Sequence, residues 1–202
     1  MGAIKNIKLS ALKEKYNGRI FIETGSGYGT GIYEALRSNF DLVLSVEIDK
    51  EQTELLQKVF RFDQKVQIFN ALSRDFLSQI LPQININTPC VIFLDAHFPG
   101  ADLNKKAFSS EKNESIRMPL YEELQIVKKL RIDKGAKDLI IVDDIMLYDD
   151  DNQYEASHQK QTMDILPREH RNYLNKFISL YEASHAPTIL KSEQGWLILE
   201  PK

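Results

Sequence analysis

A single cysteine, Cys90, occurs in the 202 residues of this chain. One thiol cannot close an internal disulfide, so the fold must rest on its core, and a reducing compartment is expected. Cys90 leads into the apolar run Val91-Ile92-Phe93-Leu94 and reads as a small buried hydrophobe rather than a nucleophile. No apolar run approaches the roughly 18 residues of a membrane span, and residues 1–5 lack the long apolar core of a signal peptide. The expectation is a cytoplasmic protein with no membrane partner. Neither charge sign dominates: 26 Lys+Arg stand against 29 Asp+Glu, a formal net charge of -3. That balance lacks the basic footprint of a polyanion binder, so no nucleic-acid partner is expected. Glycine and proline are sparse, at 9 and 7, and there is no repeat, low-complexity tract or Pro/Gly-rich linker. A single domain over residues 1–202 is the simplest organisation.

What the chain does have is 43% hydrophobic residues, enough for a core, arranged in short runs that alternate with amphipathic stretches. The runs 19–23, 42–47, 66–69, 90–94 and 139–142 read as strands, the last two almost continuously apolar, as in strands covered on both faces. Helices are predicted over 30–37, over 49–60 with Leu55, Leu56, Val59 and Phe60 on one face, and over 73–80 with Ser73 as N-cap. A further helix is predicted over 119–132, with Leu120, Leu124, Val127 and Leu130 at helical spacing and Pro119 in its first turn. A last helix, about 167–182, precedes two short runs, 188–190 and 196–199, joined closely enough to form an antiparallel hairpin. The pattern predicts an α/β, Rossmann-like, doubly wound sheet of seven strands, mostly parallel, ending in an antiparallel C-terminal hairpin. The stretches 98–117 and 144–163 fit no element and follow strands at their carboxyl ends, where open α/β sheets bind ligands.

The turn Glu23-Thr24-Gly25-Ser26-Gly27-Tyr28-Gly29-Thr30-Gly31 lies between the first strand and a helix. Glycines there let backbone amides approach a ligand, and the helix N-terminus adds a positive field. A dinucleotide turn reads G-x-G-x-x-G. Counted from Gly25, Thr30 stands where the last glycine belongs. Glu23 just ahead is a poor neighbour for a pyrophosphate and a good one for an ammonium, which favours S-adenosylmethionine, with its amino group and sulfonium. Glu47 closes the second strand about 20 residues on, where an acid can accept from ribose hydroxyls. Asp49 reads as the N-cap of the next helix. After the third strand, Asn70, Ala71 and Leu72 stand where a loop would pass the adenine; Leu72 reads equally well as core.

The glycine turn, with Glu47 at the end of the second strand, resembles the first two motifs of class I S-adenosylmethionine-dependent methyltransferases, and the closing hairpin resembles that family's reversed last strand. The resemblance implies that Glu23, Gly25, Ser26, Gly27, Gly29, Glu47, Asn70, Ala71, Leu72 and Asp95 hold the cofactor. Many members carry an aspartate after the third strand, where this chain has Asn70 and Ser73.

The fourth strand runs into Asp95-Ala96-His97-Phe98-Pro99-Gly100 and the fifth into Asp143-Asp144. Carboxylates converging without Lys or Arg suit a divalent oxygen-liganded cation such as Mg²⁺. The arrangement resembles metal-dependent O-methyltransferases of macrolide sugars and their cephalosporin-hydroxylase-like relatives. That resemblance implies Asp95, Asp143 and Asp144 as metal ligands. The longer segments around 94–100, 119–124 and 142–145 also look like a bacterial and phage group of methyltransferase-like proteins. His97 and Asp95 are the catalytic candidates, His97 as a base with a reference pKa of about 6.5. Glu122 and Glu123 read as a solvated helix face, Asp149-Asp150-Asp151 as an exposed acidic loop, and His158 beside it as part of a conceivable second cation site.

No Asp/Asn-Pro-Pro-aromatic motif of amino-methylating DNA enzymes follows the fourth strand. The expected activity is O-methylation of a small hydroxylated molecule, with Arg117, Lys105, Lys106 and Arg168 as scattered surface charge. An NAD-dependent oxidoreductase and a non-catalytic cofactor-binding module are the alternatives, and a homo-oligomer is compatible with either.

Overall fold

The structure is a computed structural model and describes residues 4–97, 99, 103, 105, 110–149, 153–155 and 173–202. Seven strands form one sheet: β1 (Ile20–Thr24), β2 (Leu42–Glu47), β3 (Val66–Asn70), β4 (Cys90–Leu94), β5 (Leu139–Val142), β6 (His185–Leu190) and β7 (Trp196–Pro201). Their order is β3-β2-β1-β4-β5-β7-β6. The first five are parallel, β7 runs antiparallel to β5, and β6 pairs antiparallel with β7. This is the mostly parallel sheet with a reversed hairpin that the sequence predicts. The apolar runs of β4 and β5 are buried at every residue because both strands lie inside the sheet with helices on each face.

The alternation of side chains along the strands builds two cores. Ile22, Leu44, Ile92, Ile140 and Leu197 face one side, under α4 (Ser73–Ile80), α6 (Leu120–Leu130) and α7 (Tyr173–Tyr181). Phe21, Val43, Val91, Ile141 and Trp196 face the other, under α1 (Leu9–Lys15), α2 (Thr30–Arg37) and α3 (Lys50–Val59). A short helix, α5 (Glu114–Arg117), precedes α6.

Some local expectations change. In α3 only Leu56, with Phe60 just after it, turns inward; Leu55 and Val59 are exposed. The inward row is completed by Gln52 and Thr53, whose polar groups find backbone carbonyl partners at Gly27 and Glu47. Ser73 is the first residue of α4 rather than its cap, a position held by Leu72 with no side-chain bond. Glu123 is fully buried beside Leu120, Leu124 and Val127, not on a solvated face. Phe98, Gly100, Lys106, Asp150, Asp151, His158, Arg168 and the start of the helix expected from 167 lie outside the described residues.

Candidate active site

Strand order reverses between β1 and β4, since β2 and β3 continue outward on one side and β5 on the other. The turns leaving these two strands therefore diverge and open a crevice at their carboxyl ends. A concave cleft, open to solvent, lies there. Its wall includes Glu23, Gly25, Ser26, Gly27, Glu47, Ala71, Leu72, Asp95 and His97.

The glycine turn is pinned to β2: the N–H groups of Gly25 and Ser26 both donate to Val46 O, at 3.0 and 3.1 Å. Gly25 has φ 79°, and a Cβ there would stand 2.7 Å from Asp95 O, so only glycine lets the β1 and β4 turns come this close. Gly31 is demanded by space: a Cβ on it would meet Glu23 Oε1 at 1.7 Å. The Glu23 carboxyl is thus wedged beneath the first turn of α2, where Ser45 Oγ donates to it at 2.5 Å. Burial pushes its pKa up to about 8, and the charge of Glu47 adds to the rise. Gly29 has φ 81° but faces Leu56 of α3 and Phe60 just after it, away from the cleft wall.

Glu47 Oε2 accepts from Gly27 N–H at 3.0 Å and Oε1 from Asp49 N–H at 2.9 Å. One carboxylate thereby shapes both loops that flank the cleft, while burial still raises its pKa. Asp49 caps α3 as expected, accepting from Gln52 N–H at 2.8 Å. Gln52 Nε2 donates to Gly27 O at 2.6 Å and fixes the turn from behind, a role that sequence reasoning missed. Asn70 is not on the cleft wall. Its amide nitrogen donates to Glu47 O and Ile48 O, at 2.9 and 3.1 Å, and so holds the turn after β2. Ala71, Leu72 and Ser73 form that part of the wall instead.

At the β4–β5 edge, Asp95 N–H donates to Thr24 O and Asp143 N–H to Leu94 O, both within 3.2 Å. His97 sits between two acids. Its Nδ1 is 3.1 Å from Asp95 O, and its Nε2 is 2.9 Å from Asp144 Oδ2. A carbonyl only accepts, so Nδ1 carries the hydrogen, which leaves Nε2 to share a proton with Asp144. Asp95, His97 and Asp144 each present a ligand atom within 4.8 Å of the others. The three-residue cluster therefore contains His97 where the sequence resemblance had Asp143. Asp144 adopts φ 52°, which carries its side chain to His97, whereas Asp143 folds back to accept from Asp144 N–H at 2.9 Å. Asp143 Oδ2 is buried without a partner, and burial with the neighbouring Asp144 raises its pKa.

Behind this edge lies Glu123, which sequence reasoning set aside. Thr24 Oγ1 faces its Oε2 at 3.5 Å, and Oε1 has no partner. Burial pushes its pKa up to about 7, while the Ser73 and Thr24 hydroxyls and His97 pull it down. The signal was its place in the buried row of α6.

No protein-family model matches the chain, and no curated protein matches it. Solved structures do. An O-methyltransferase from Bacillus cereus in complex with S-adenosylhomocysteine aligns over 100% of this chain and 82% of its own, at 16% identity and TM-score 0.65. TomG, an O-methyltransferase from Streptomyces achromogenes in complex with S-adenosylmethionine, aligns over 100% and 81%, at 13% identity and TM-score 0.62. The methyltransferase domain of bacterial CtHen1-C aligns over 96% and 94%, at 11% identity and TM-score 0.55. The fold is the Rossmann-like methyltransferase fold. Among the described residues no helix is long and apolar enough to cross a membrane.

Proposed function

We propose that this chain is an S-adenosylmethionine-dependent methyltransferase that methylates a hydroxyl group of a small molecule. The observation that carries the reading is the pair of buried acids, Glu23 and Glu47, on the wall of the β1–β4 cleft. A pyrophosphate would face both, whereas an amino group and two ribose hydroxyls are matched by them. The neighbouring folds that hold S-adenosylmethionine or S-adenosylhomocysteine support the same choice. Glu23 would meet the amino group, Glu47 the ribose, the backbone of Gly25 to Gly27 the amino-acid end, and Ala71 and Leu72 the flanks of the adenine. When bound, the cofactor supplies an electrophilic methyl carbon on a sulfonium.

His97 would take the proton of the attacking hydroxyl at Nε2 once that oxygen replaces Asp144 beside it, with Nδ1 held by the Asp95 carbonyl. Positioning of this kind contributes roughly 7–11 kcal/mol in favourable cases. The oxygens of Asp95 and Asp144 with the His97 nitrogen also fit a divalent cation, and Asp143 Oδ2, buried and unpartnered, stands one residue away. Such a cation would lower the pKa of a bound hydroxyl.

Calorimetric titration with S-adenosylhomocysteine and with NAD, each with and without Mg²⁺, tests the reading. Micromolar binding of the first alone is expected, with Mg²⁺ binding lost in Asp144→Ala while S-adenosylhomocysteine affinity persists. Binding of NAD alone would overturn the assignment, and a Mg²⁺ response unchanged by Asp144→Ala would remove the cation site.

A further inference from the structure

Of the eight large apolar residues exposed among the described residues, four lie together: Tyr33 of α2, Leu55 and Val59 of α3, and Phe62 in the turn that follows. Phe62 is 83% exposed, and with Tyr33, Leu36, Val59 and Phe60 it borders a groove between α2 and the end of α3. Scattered single apolar residues need no explanation, but a contiguous patch marks an interaction surface.

The charges beside the patch say what fits it. Along the outer face of α3, Leu55 and Val59 form one i, i+4 row, and Glu54 and Lys58 form the row next to it. The outer face carries Lys50, Glu51 and Glu54 in its first half, Lys50 pairing with Glu54 at 3.9 Å, and Lys58 at its end. All four are exposed. Glu51 already meets Lys105 Nζ at 3.1 Å, yet its side chain remains 88% exposed.

A two-fold axis perpendicular to the helix and lying beside it turns it antiparallel to its copy and keeps each row facing the same row of the other. Leu55 then faces Val59 of the second copy and Val59 faces Leu55, while Glu54 faces Lys58. A parallel arrangement would set acid on acid and base on base. A self-complementary patch of this kind is what an isologous interface requires.

We propose that the outer face of α3, with Tyr33 and Phe62 beside it, is a two-fold interface between two copies of this chain. The inference is independent of the proposed chemistry, since none of these residues lies on the wall of the β1–β4 cleft.

Sedimentation equilibrium of the full chain from low to high micromolar concentration tests it. The expected result is a mass rising with concentration toward twice the 23.3 kDa of one chain. Leu55→Glu should weaken the dimer at least about tenfold, since it sets like charges into the seam. Because Leu55 is half exposed, its replacement should leave the far-UV circular dichroism and Tm of the monomer unchanged. Glu54→Lys should weaken the dimer, and Glu54→Lys combined with Lys58→Glu should restore it. A chain that stays monomeric throughout, or a dimer indifferent to Leu55→Glu, would overturn the proposal. A charge-swapped pair that fails to restore association would overturn the antiparallel arrangement.

Discussion

At the scale of single residues, the side chain that decides most is Glu23. Its pKa of about 8 in the folded chain stands above the ordinary 4.5. Between those values the folded state holds a proton that the unfolded chain has released. Stability from this group therefore falls as pH rises through the window. The Tm of the ligand-free protein is expected to decline from pH 5 to pH 8, and Glu23→Gln should remove a measurable part of that slope, the rest belonging to the other buried carboxyls. A slope unchanged in the variant would place the proton elsewhere, with Glu123, whose pKa is about 7, the next carboxyl to replace. An ammonium beside Glu23 favours its charged form. Binding of S-adenosylhomocysteine at pH 7 should then release a proton, visible as a binding enthalpy that varies with the ionisation heat of the buffer. Gly31→Ala tests the same carboxyl sterically: a Cβ 1.7 Å from Glu23 Oε1 must displace it, so calorimetry should show at least about a tenfold loss of affinity, the scale of one charge-assisted hydrogen bond. The place of Glu23 and Glu47 on the cleft wall was legible because each stands at the carboxyl end of a strand. The backbone bonds of Asn70 were not legible because an amide finds backbone partners nearby as readily as a ligand, and linear order does not show which. Glu123 escaped because a glutamate on a helix is exposed by default, although its spacing from Leu120 and Leu124 placed it inward.

At the scale of elements, strands were easier to read than helix faces. Four-to-six-residue apolar runs identify buried strands directly, but α3 carries Leu55, Leu56, Val59 and Phe60 in two rows, only one of them inward. The inward row is completed by Gln52 and Thr53, so counting apolar positions could not choose between the rows. α1 was not anticipated: residues 9–15 offer little periodicity, and Lys8 before them makes no capping bond. The junction after α6 was also invisible, because it depends on residues distant in sequence. Arg131, fully buried, donates to both carboxylate oxygens of Asp138 at 2.8 and 3.0 Å and to the carbonyls of Ile84, Asn85 and Thr88. Asp138 also accepts from Cys90 N–H at 2.9 Å. This clasp ties the end of α6 and the loop before β4 to the start of β5, the two strands that deliver Asp95 and Asp143. Asp138→Ala leaves the guanidinium buried and unpaired, and urea unfolding should show a loss of about 3–5 kcal/mol. A loss under 1 kcal/mol would mean that water reaches Arg131 and that the clasp does not position the edge.

At the scale of the whole molecule, the site follows from strand order. Parallel strands with helical crossovers, and a hairpin at the end, were readable in advance. The insertion of β7 between β5 and β6 was not, because pairing across the sheet leaves no local trace. The position of β1 beside β4 nevertheless determines where two diverging turns open, and with it the convergence of Glu23, Glu47 and Asp95 on one cleft. A ligand that bridges β1, β2 and β4 binds the folded sheet and not the open chain, so its affinity must appear as stability. At 100 times its Kd, S-adenosylhomocysteine should add about 2.7 kcal/mol. For a chain of this size that corresponds to a rise in Tm of roughly 5–10 °C. NAD at the same concentration should leave Tm unchanged, and Glu47→Ala should lose most of the rise, because it removes the proposed ribose acceptor and the tie between the β1 and β2 turns together. Asp144→Ala should keep the rise in full, since Asp144 lies at the β5 edge and outside the cofactor wall. A shift produced by NAD, or one that survives Glu47→Ala, would mean that the cleft holds a different ligand from the one its two buried acids select.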